Sequence, residues 1–219
     1  MSSHRRNRFD VTRRECRFGG RSIYAFYTIG NRQWSSANAV TNAYTANNLN
    51  QYMTVNRTSE QSEQSSNLSY DTDGNLVQDD RFSYAYDAEN RLVSVYPQSL
   101  TNGALAVKNS YDHQHRRVRK EVKQFDGAEW LTTETHTFVW DGNDIVLERI
   151  AFADGTTRIC EYFWGPDKSG TEQGAGGVDG LLAVSVDGTF YIPCYDHNGN
   201  IVCYVSESGT IAAQYVYDP

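Results

Sequence analysis

Apolar and polar positions along this chain alternate in short runs, and no segment sustains the 3.6-residue period of an amphipathic helix. The runs recur as a phrase: "YDTDGNLV" at 70–77, "YDAENRLV" at 86–93 and "YDHNGNIV" at 195–202. Each opens on an aromatic, continues through an acid and turn-forming residues, and closes on branched aliphatics. Aligned on the aromatic, the phrase falls at Phe26, Tyr70, Tyr86, Tyr111, Trp140, Tyr195 and Tyr217, with spacings of 44, 16, 25, 29, 55 and 22. Such variation suits hairpins carrying loops of different length. The pattern predicts an all-β chain of repeated antiparallel β-hairpins.

The turn chemistry predicts a register. Asn198-Gly199 and Asp73-Gly74 between β-rich runs are hairpin signals of the two-residue type, which needs positive φ at both central positions. A two-residue loop at each phrase places Tyr195 opposite Val202, Tyr70 opposite Val77, Tyr86 opposite Val93, Tyr111 opposite Val118 and Trp140 opposite Leu147. Aromatic–aliphatic cross-strand pairs of this kind each contribute about 0.2–1 kcal/mol. Phe26, opposite Gln33, breaks the rule. The acid after each aromatic, at Asp71, Asp87, Asp112, Asp141, Asp196 and Asp218, suits hydrogen bonding to local backbone at the start of a turn. Asn90 and His115 stand where the other phrases carry Gly74 and Gly199. Residues 56–67, "NRTSEQSEQSSN", read as an exposed loop, and the Gly-rich stretch 170–180 as a flexible connector or bulge.

A lone hairpin is marginal in water, whereas repeated hairpins can zip edge to edge and bury a stripe of rings. Composition agrees: 15 Tyr, 9 Phe and 4 Trp in 219 residues, with 39% of positions hydrophobic. The net charge of −7 is uneven, because residues 1–21 hold seven Arg against Asp10 and Glu15 while the rest carries −12. Residues 1–20 therefore read as a basic, disordered N-terminal segment and residues 21–219 as one β-sheet domain. An acidic body argues against broad nucleic-acid binding, because phosphate contacts need a basic face. No apolar run reaches membrane-spanning length and no signal-peptide core stands at the N-terminus.

The recurring Tyr-Asp-x-x-Gly-Asn/Arg-Leu pattern resembles the YD repeats of bacterial Rhs proteins. The stretch from Tyr162, with "YFWGPDKSGTEQGAGGVDGLLAV", "YIPCYDHNGNIV" and "YVYDP", is similar to the run before the Rhs repeat-associated core. The resemblance implies a curved or spiralling sheet, a partial shell that encloses or displays a C-terminal toxin-like polypeptide. Its partners would be other parts of its own longer chain or that toxin domain, and its location the secreted or cell-surface space. It implies a structural scaffold, not an enzyme, without cofactor or metal, whose structural repeat residues are Tyr70, Asp71, Gly74, Tyr86, Asp87, Tyr111, Asp112, Trp140, Asp141, Tyr195, Asp196, Gly199, Tyr217 and Asp218. A chain ending at Asp218-Pro219 would stop short of the self-cleaving core. The second reading is a module for carbohydrate or cell-surface binding, since outward aromatics suit sugar faces.

Candidate chemistry beyond the repeats is sparse. The six recurrent acids are explained by turn formation, and no recognisable nucleophile–base spacing occurs. Cys194, His197 and Cys203 lie within ten residues. They are compatible with free thiols, with a Cys194–Cys203 disulfide across a hairpin, or with a metal site that lacks a clear fourth ligand.

Overall fold

The computed structural model describes residues 31–217 and, by backbone alone, 23–26. The basic N-terminal segment, Cys16 and Asp218 lie outside the described residues. Every regular element described is a strand, and the strands form two antiparallel sheets. The first takes β1 (Ile23–Phe26), β2 (Arg32–Ala37), β3 (Val40–Ala46), β4 (Tyr52–Thr58) and β5 (Glu63–Asn67) in sequence order. The second begins with β6 (Ser69–Tyr70), β7 (Leu76–Gln78), β8 (Phe82–Tyr86), β9 (Leu92–Pro97), β10 (Leu105–Tyr111) and β11 (Arg117–Phe125). It continues through β12 (Trp130–Asp141), β13 (Asp144–Phe152), β14 (Thr157–Trp164) and β15 (Leu181–Val186). It ends with β16 (Thr189–Tyr195), β17 (Ile201–Ser206) and β18 (Ile211–Gln214). These thirteen strands neighbour one another in chain order and do not close into a barrel. The all-β, hairpin-by-hairpin architecture follows from the alternation in the sequence, since short connections join consecutive antiparallel neighbours.

By packing, the chain divides into two compact units. Among the described residues, one comprises 110–121 with 132–217, the other those up to 109 with 122–131. In the first, Phe138, Ile150, Cys160, Leu181 and Val184 form the small apolar core, and in the second Ala106 is buried.

The turns depart from the expected type. In the phrases at 70, 86, 111 and 195 the acid's carbonyl accepts from the residue three on, and its own N–H donates to the carbonyl four on. At the last phrase these bonds are Gly199 N–H to Asp196 O, 3.1 Å, and Asp196 N–H to Asn200 O, 2.9 Å. Only one residue per turn is left-handed: Gly74 at φ 89°, Asn90 at 58°, His115 at 63° and Gly199 at 82°. This is a type I turn closed by a left-handed bulge residue. It corrects the two-residue turn, because Asp73 and Asn198 do not share the positive φ such a turn requires.

The register is corrected with it. Tyr70 pairs with Leu76, Tyr86 with Leu92, Trp140 with Ile145 and Tyr195 with Ile201. The partner remains aliphatic but lies one or two residues earlier than expected. One residue further from the turn each ladder slips, leaving Val77, Val93, Val146 and Val202 as extra residues in β-bulges. The arithmetic holds beyond the bulge, where Cys194 faces Cys203.

The bulge has a physical reason. At four bulges the carbonyl just before the extra residue is left for the next hairpin's ring, while before Val93 the Leu92 carbonyl takes Asn109 Nδ2 at 3.0 Å. Tyr70 Oη donates to Tyr52 O at 2.8 Å, Trp164 Nε1 to Ile145 O at 2.7 Å, Tyr195 Oη to Leu181 O at 2.7 Å and Tyr217 Oη to Ile201 O at 2.9 Å. Trp140 Nε1 likewise reaches Arg117 O at 3.1 Å. A half-buried phenol or indole N–H needs a partner, and each such bond contributes about 0.5–1.5 kcal/mol. Tyr70, Trp140 and Tyr195 thus act twice, pairing within their own hairpin and pinning it to an earlier one.

Two loops read from the sequence are organised differently. Within residues 56–67 the chain forms the ends of β4 and β5 around a turn in which Ser59 N–H donates to Ser62 O. Backbone pairing from Thr54↔Asn67 to Thr58↔Glu63 builds this hairpin despite its polar side chains. The Gly-rich segment folds around Asp167, which is 5% exposed. Its Oδ1 accepts from Ser169 N and Oγ, and its Oδ2 from Ala175 N and Gly177 N. One side chain thereby orders a loop that composition alone marks as flexible.

Candidate functional site

In the recurrent turns the chemistry of the acid is structural. One carboxylate oxygen of Asp71, Asp87, Asp112 and Asp196 accepts two backbone N–H groups, those two and four residues on. The other oxygen holds the side chain four residues on: Asn75, Arg91, Arg116 or Asn200, at 2.7–2.9 Å. All four carboxyls are pulled below the usual value near 3.8. For Asp71 and Asp196 the Asn75 and Asn200 side chains are the largest cause. For Asp87 and Asp112 desolvation pushes upward but is outweighed by the donors of Arg91 and Arg116. A carboxyl lowered on folding stabilises fully above its unfolded value, and that contribution is lost as pH falls through the folded one. Melting temperature should therefore hold level from pH 7 to about pH 5 and drop steadily below about pH 4. A melting temperature at pH 2.5 equal to that at pH 6 would refute this role. Asp141 is exposed and pairs with Asp144 across a tight loop, so the recurrent acids are not gathered into one site.

A different group of side chains is gathered. On β12, Glu134, His136 and Phe138 alternate onto one face. On β13 the same face carries Glu148 and Ile150, and on β14 Cys160 and Tyr162. The ladder sets Phe138 opposite Glu148 and Glu148 opposite Cys160. His136 is 8% exposed. Its Nδ1 meets Glu148 Oε1 at 2.6 Å and its Nε2 meets Glu134 Oε2 at 3.1 Å. Tyr162 Oη donates to Glu148 Oε2 at 3.0 Å. Burial first, then the Glu148 charge, pushes the Tyr162 phenol far above its ordinary value, and the same two causes push the Cys160 thiol up to about 11. Cys160 is thus a core thiol and not a nucleophile at neutral pH.

The electrostatics around the imidazole are graded. The Glu148 side chain is 15% exposed and that of Glu134 38%, so one carboxylate is fixed and the other reaches solvent. The Phe138 ring stacks at 6.3 Å from the His136 ring, and the Arg117 guanidinium lies 5.2 Å over Phe138. Residues 108–123 hold six Lys and Arg against Asp112 and Glu121, a basic hairpin within the otherwise acidic residues 22–219. An imidazole oriented at Nδ1 by a buried carboxylate, with Nε2 held only by a more exposed one, is an arrangement that general acid–base chemistry can use.

The sequence reading missed Glu134, His136, Glu148 and Tyr162. The available signal was the alternation "ETHTF" at 134–138; the other partners depend on strand register. It also missed Tyr52 and Trp164 as members of the aromatic series. Cys194, Cys203 and Cys160 are free thiols. Among the described residues no group of three or more His, Cys, Asp or Glu is arranged to hold a metal ion.

Fold and site together define a hairpin-built β protein with a buried imidazole held between two carboxylates. Compared with known proteins, no family model matches the chain. The chain is 25% identical over 152 residues, 69% of its length, to the tRNA3(Ser)-specific nuclease WapA of Bacillus spizizenii. It spans about 6% of that curated relative's length. These findings correct three expectations. The likeness to an Rhs YD-repeat shell is not supported by any family match. The similarity to a nuclease displaces the purely structural scaffold, and it displaces the reading of the chain as no enzyme. The physical reason is that a turn-forming phrase records how hairpins close and zip; it does not specify what the sheet is for. No helix among the described residues is long and apolar enough to cross a membrane.

Proposed function

We propose that this chain takes part in cleavage of transfer RNA, as a portion of a longer nuclease polypeptide, with His136 as its acid–base group. The 152-residue likeness to a tRNA-specific nuclease carries the reading. The cluster supports it chemically. Cleaving an RNA phosphodiester needs a base to take a proton from the attacking oxygen, an acid to protonate the leaving oxygen, and positive charge for the phosphorus centre. Glu148 holds the imidazole by Nδ1. Nε2 is covered only by the more exposed Glu134, which a bound phosphodiester would displace. Arg117, on the neighbouring strand and stacked over Phe138, supplies the nearby cation. The basic hairpin at 108–123 offers the phosphate contacts that the rest of residues 22–219, which is acidic, does not.

The test is incubation of the purified chain with serine tRNA transcripts across pH 5–9, with and without divalent ions, followed on gels. General acid–base groups are worth about 10²–10⁴ in rate, so His136→Ala should slow cleavage at least 100-fold. Glu134→Gln, at the exposed end of the cluster, should leave thermal melting unchanged and alter the pH profile. Intact tRNA with the wild-type chain under every condition would overturn the proposal, as would undiminished cleavage by a folded His136→Ala variant.

A further inference from the structure

We propose that Cys194 and Cys203 form a redox-sensitive staple that closes as a disulfide across the β16–β17 hairpin under oxidising conditions. The inference stands independently of nuclease activity. The ladder places the two residues directly opposite one another, with Pro193↔Tyr204 on one side and the bulge at Val202 on the other. Cα atoms of directly opposed antiparallel residues lie about 4.5–5.5 Å apart, inside the range of about 4.4–6.8 Å that disulfides accept. Opposed residues also project their Cβ atoms to the same face, as a bridge between them requires. Both cysteines are half-buried and present as free thiols. The hydrogen bond in which the Cys203 thiol donates to Cys194, then desolvation, raises the Cys203 thiol.

The third described thiol supplies the contrast. Cys160 is buried and faces Glu148 on one side and Val186 on the other, with no cysteine opposite. Oxidation should therefore select one pair. With a low-molecular-weight disulfide such as oxidised glutathione, a thiolate of the pair attacks one sulfur of the oxidant. A mixed disulfide forms and one small thiolate leaves. The facing cysteine, deprotonated, then attacks the protein-bound sulfur and the second small thiolate leaves. Two electrons pass from the pair to the oxidant, and the two protons released by the cysteines are taken up by the departing thiolates or solvent.

The hairpin so closed is also where the Gly-rich loop rests. A Cβ at Gly199 would lie 2.6 Å from Asp179 Oδ1 and 2.9 Å from Val178 Cγ1, so loop and turn are in close contact there. A staple four residues from that turn's apex fixes the register of β16 on β17. It removes the slippage that repeated bulges would otherwise allow.

The experiment treats the full chain with oxidised glutathione, alkylates the remaining thiols, and maps disulfides by mass spectrometry of peptides. The expected result is a Cys194–Cys203 cross-link, loss of two alkylation sites and a mass 2 Da below the reduced chain. Melting temperature should rise by roughly 5 °C, reversibly with dithiothreitol. Cys203→Ser should instead trap a stable glutathione adduct on Cys194. Repeating the mapping in a Cys16→Ser variant keeps the result free of the N-terminal thiol. Persistent glutathione adducts on both cysteines of the wild type, full alkylation after oxidation, or a cross-link joining either to Cys160 would overturn the proposal.

Discussion

Gly199→Val should be the most damaging single substitution in the turns, with a loss of about 3 kcal/mol and a fall in melting temperature of roughly 10 °C. Two independent costs meet at this position. Gly199 sits at φ 82°, where a β-branched side chain is strained. The space a Cβ would need is also occupied: Asp179 Oδ1 and Val178 Cγ1 would lie 2.6 and 2.9 Å from it. Asp179 is itself left-handed, at φ 64°, so the loop has little freedom to retreat. Gly209 isolates the first cost, since it has a φ of 77° but no atom within 4 Å of the place a Cβ would take. Gly209→Ala should lose only about 1 kcal/mol. Asn198→Val, at the neighbouring position without positive φ, should also lose under about 1 kcal/mol. Thermal or denaturant unfolding of the three variants separates the terms. Equal losses at Gly199 and Gly209 would show that the loop contact contributes nothing.

These contrasts mark how much of the fold could be read in advance. The hairpin phrases were legible because their information is local: an acid that caps a turn, a left-handed residue three places on, and an aromatic with an aliphatic across from it. Even His115, a poor residue for positive φ, adopts 63° because the Asp112 carboxylate accepts two N–H groups and holds the Arg116 guanidinium. The register near the turn was not legible, because the bulge meets a demand from the next hairpin. Ile201 O must stay free for Tyr217 Oη, and Leu181 O for Tyr195 Oη. A rule written for one hairpin contains neither acceptor. Cys194 and Cys203 could be paired from sequence because they lie past the irregularity, where the offsets of turn and bulge compensate.

The candidate site was illegible for the same reason on a larger scale. Glu134, His136, Glu148 and Tyr162 come from three strands, and their meeting depends on the registers of β12 on β13 and β13 on β14. Read singly, each is an ordinary polar residue in a polar stretch. Only the ladder shows that the His136 imidazole reaches diagonally to Glu148, which itself pairs with Phe138.

Glu148→Ala should cost more than any other change in this cluster, about 3–5 kcal/mol, because it removes one member of a buried, hydrogen-bonded network and strands the rest. Two groups lose their partner at once. His136 Nδ1, held at 2.6 Å, is left in a site that is 8% exposed, and the Tyr162 hydroxyl loses its acceptor at 3.0 Å. The mutated chain cannot easily let water in, because Phe138, Ile150 and Cys160 close the same face. Glu134→Ala provides the comparison. Its side chain is 38% exposed, its 3.1 Å contact is screened, and its removal should cost no more than about 1 kcal/mol. Tyr162→Phe should cost about 1 kcal/mol in the wild-type background and close to nothing in Glu148→Ala, so a double-mutant cycle should give a coupling of about 0.5–3 kcal/mol. Chemical denaturation of the four variants makes the measurement. If Glu148→Ala and Glu134→Ala were equally mild, Glu148 would not be the anchor of His136, and the orientation on which an acid–base role depends would be lost with it.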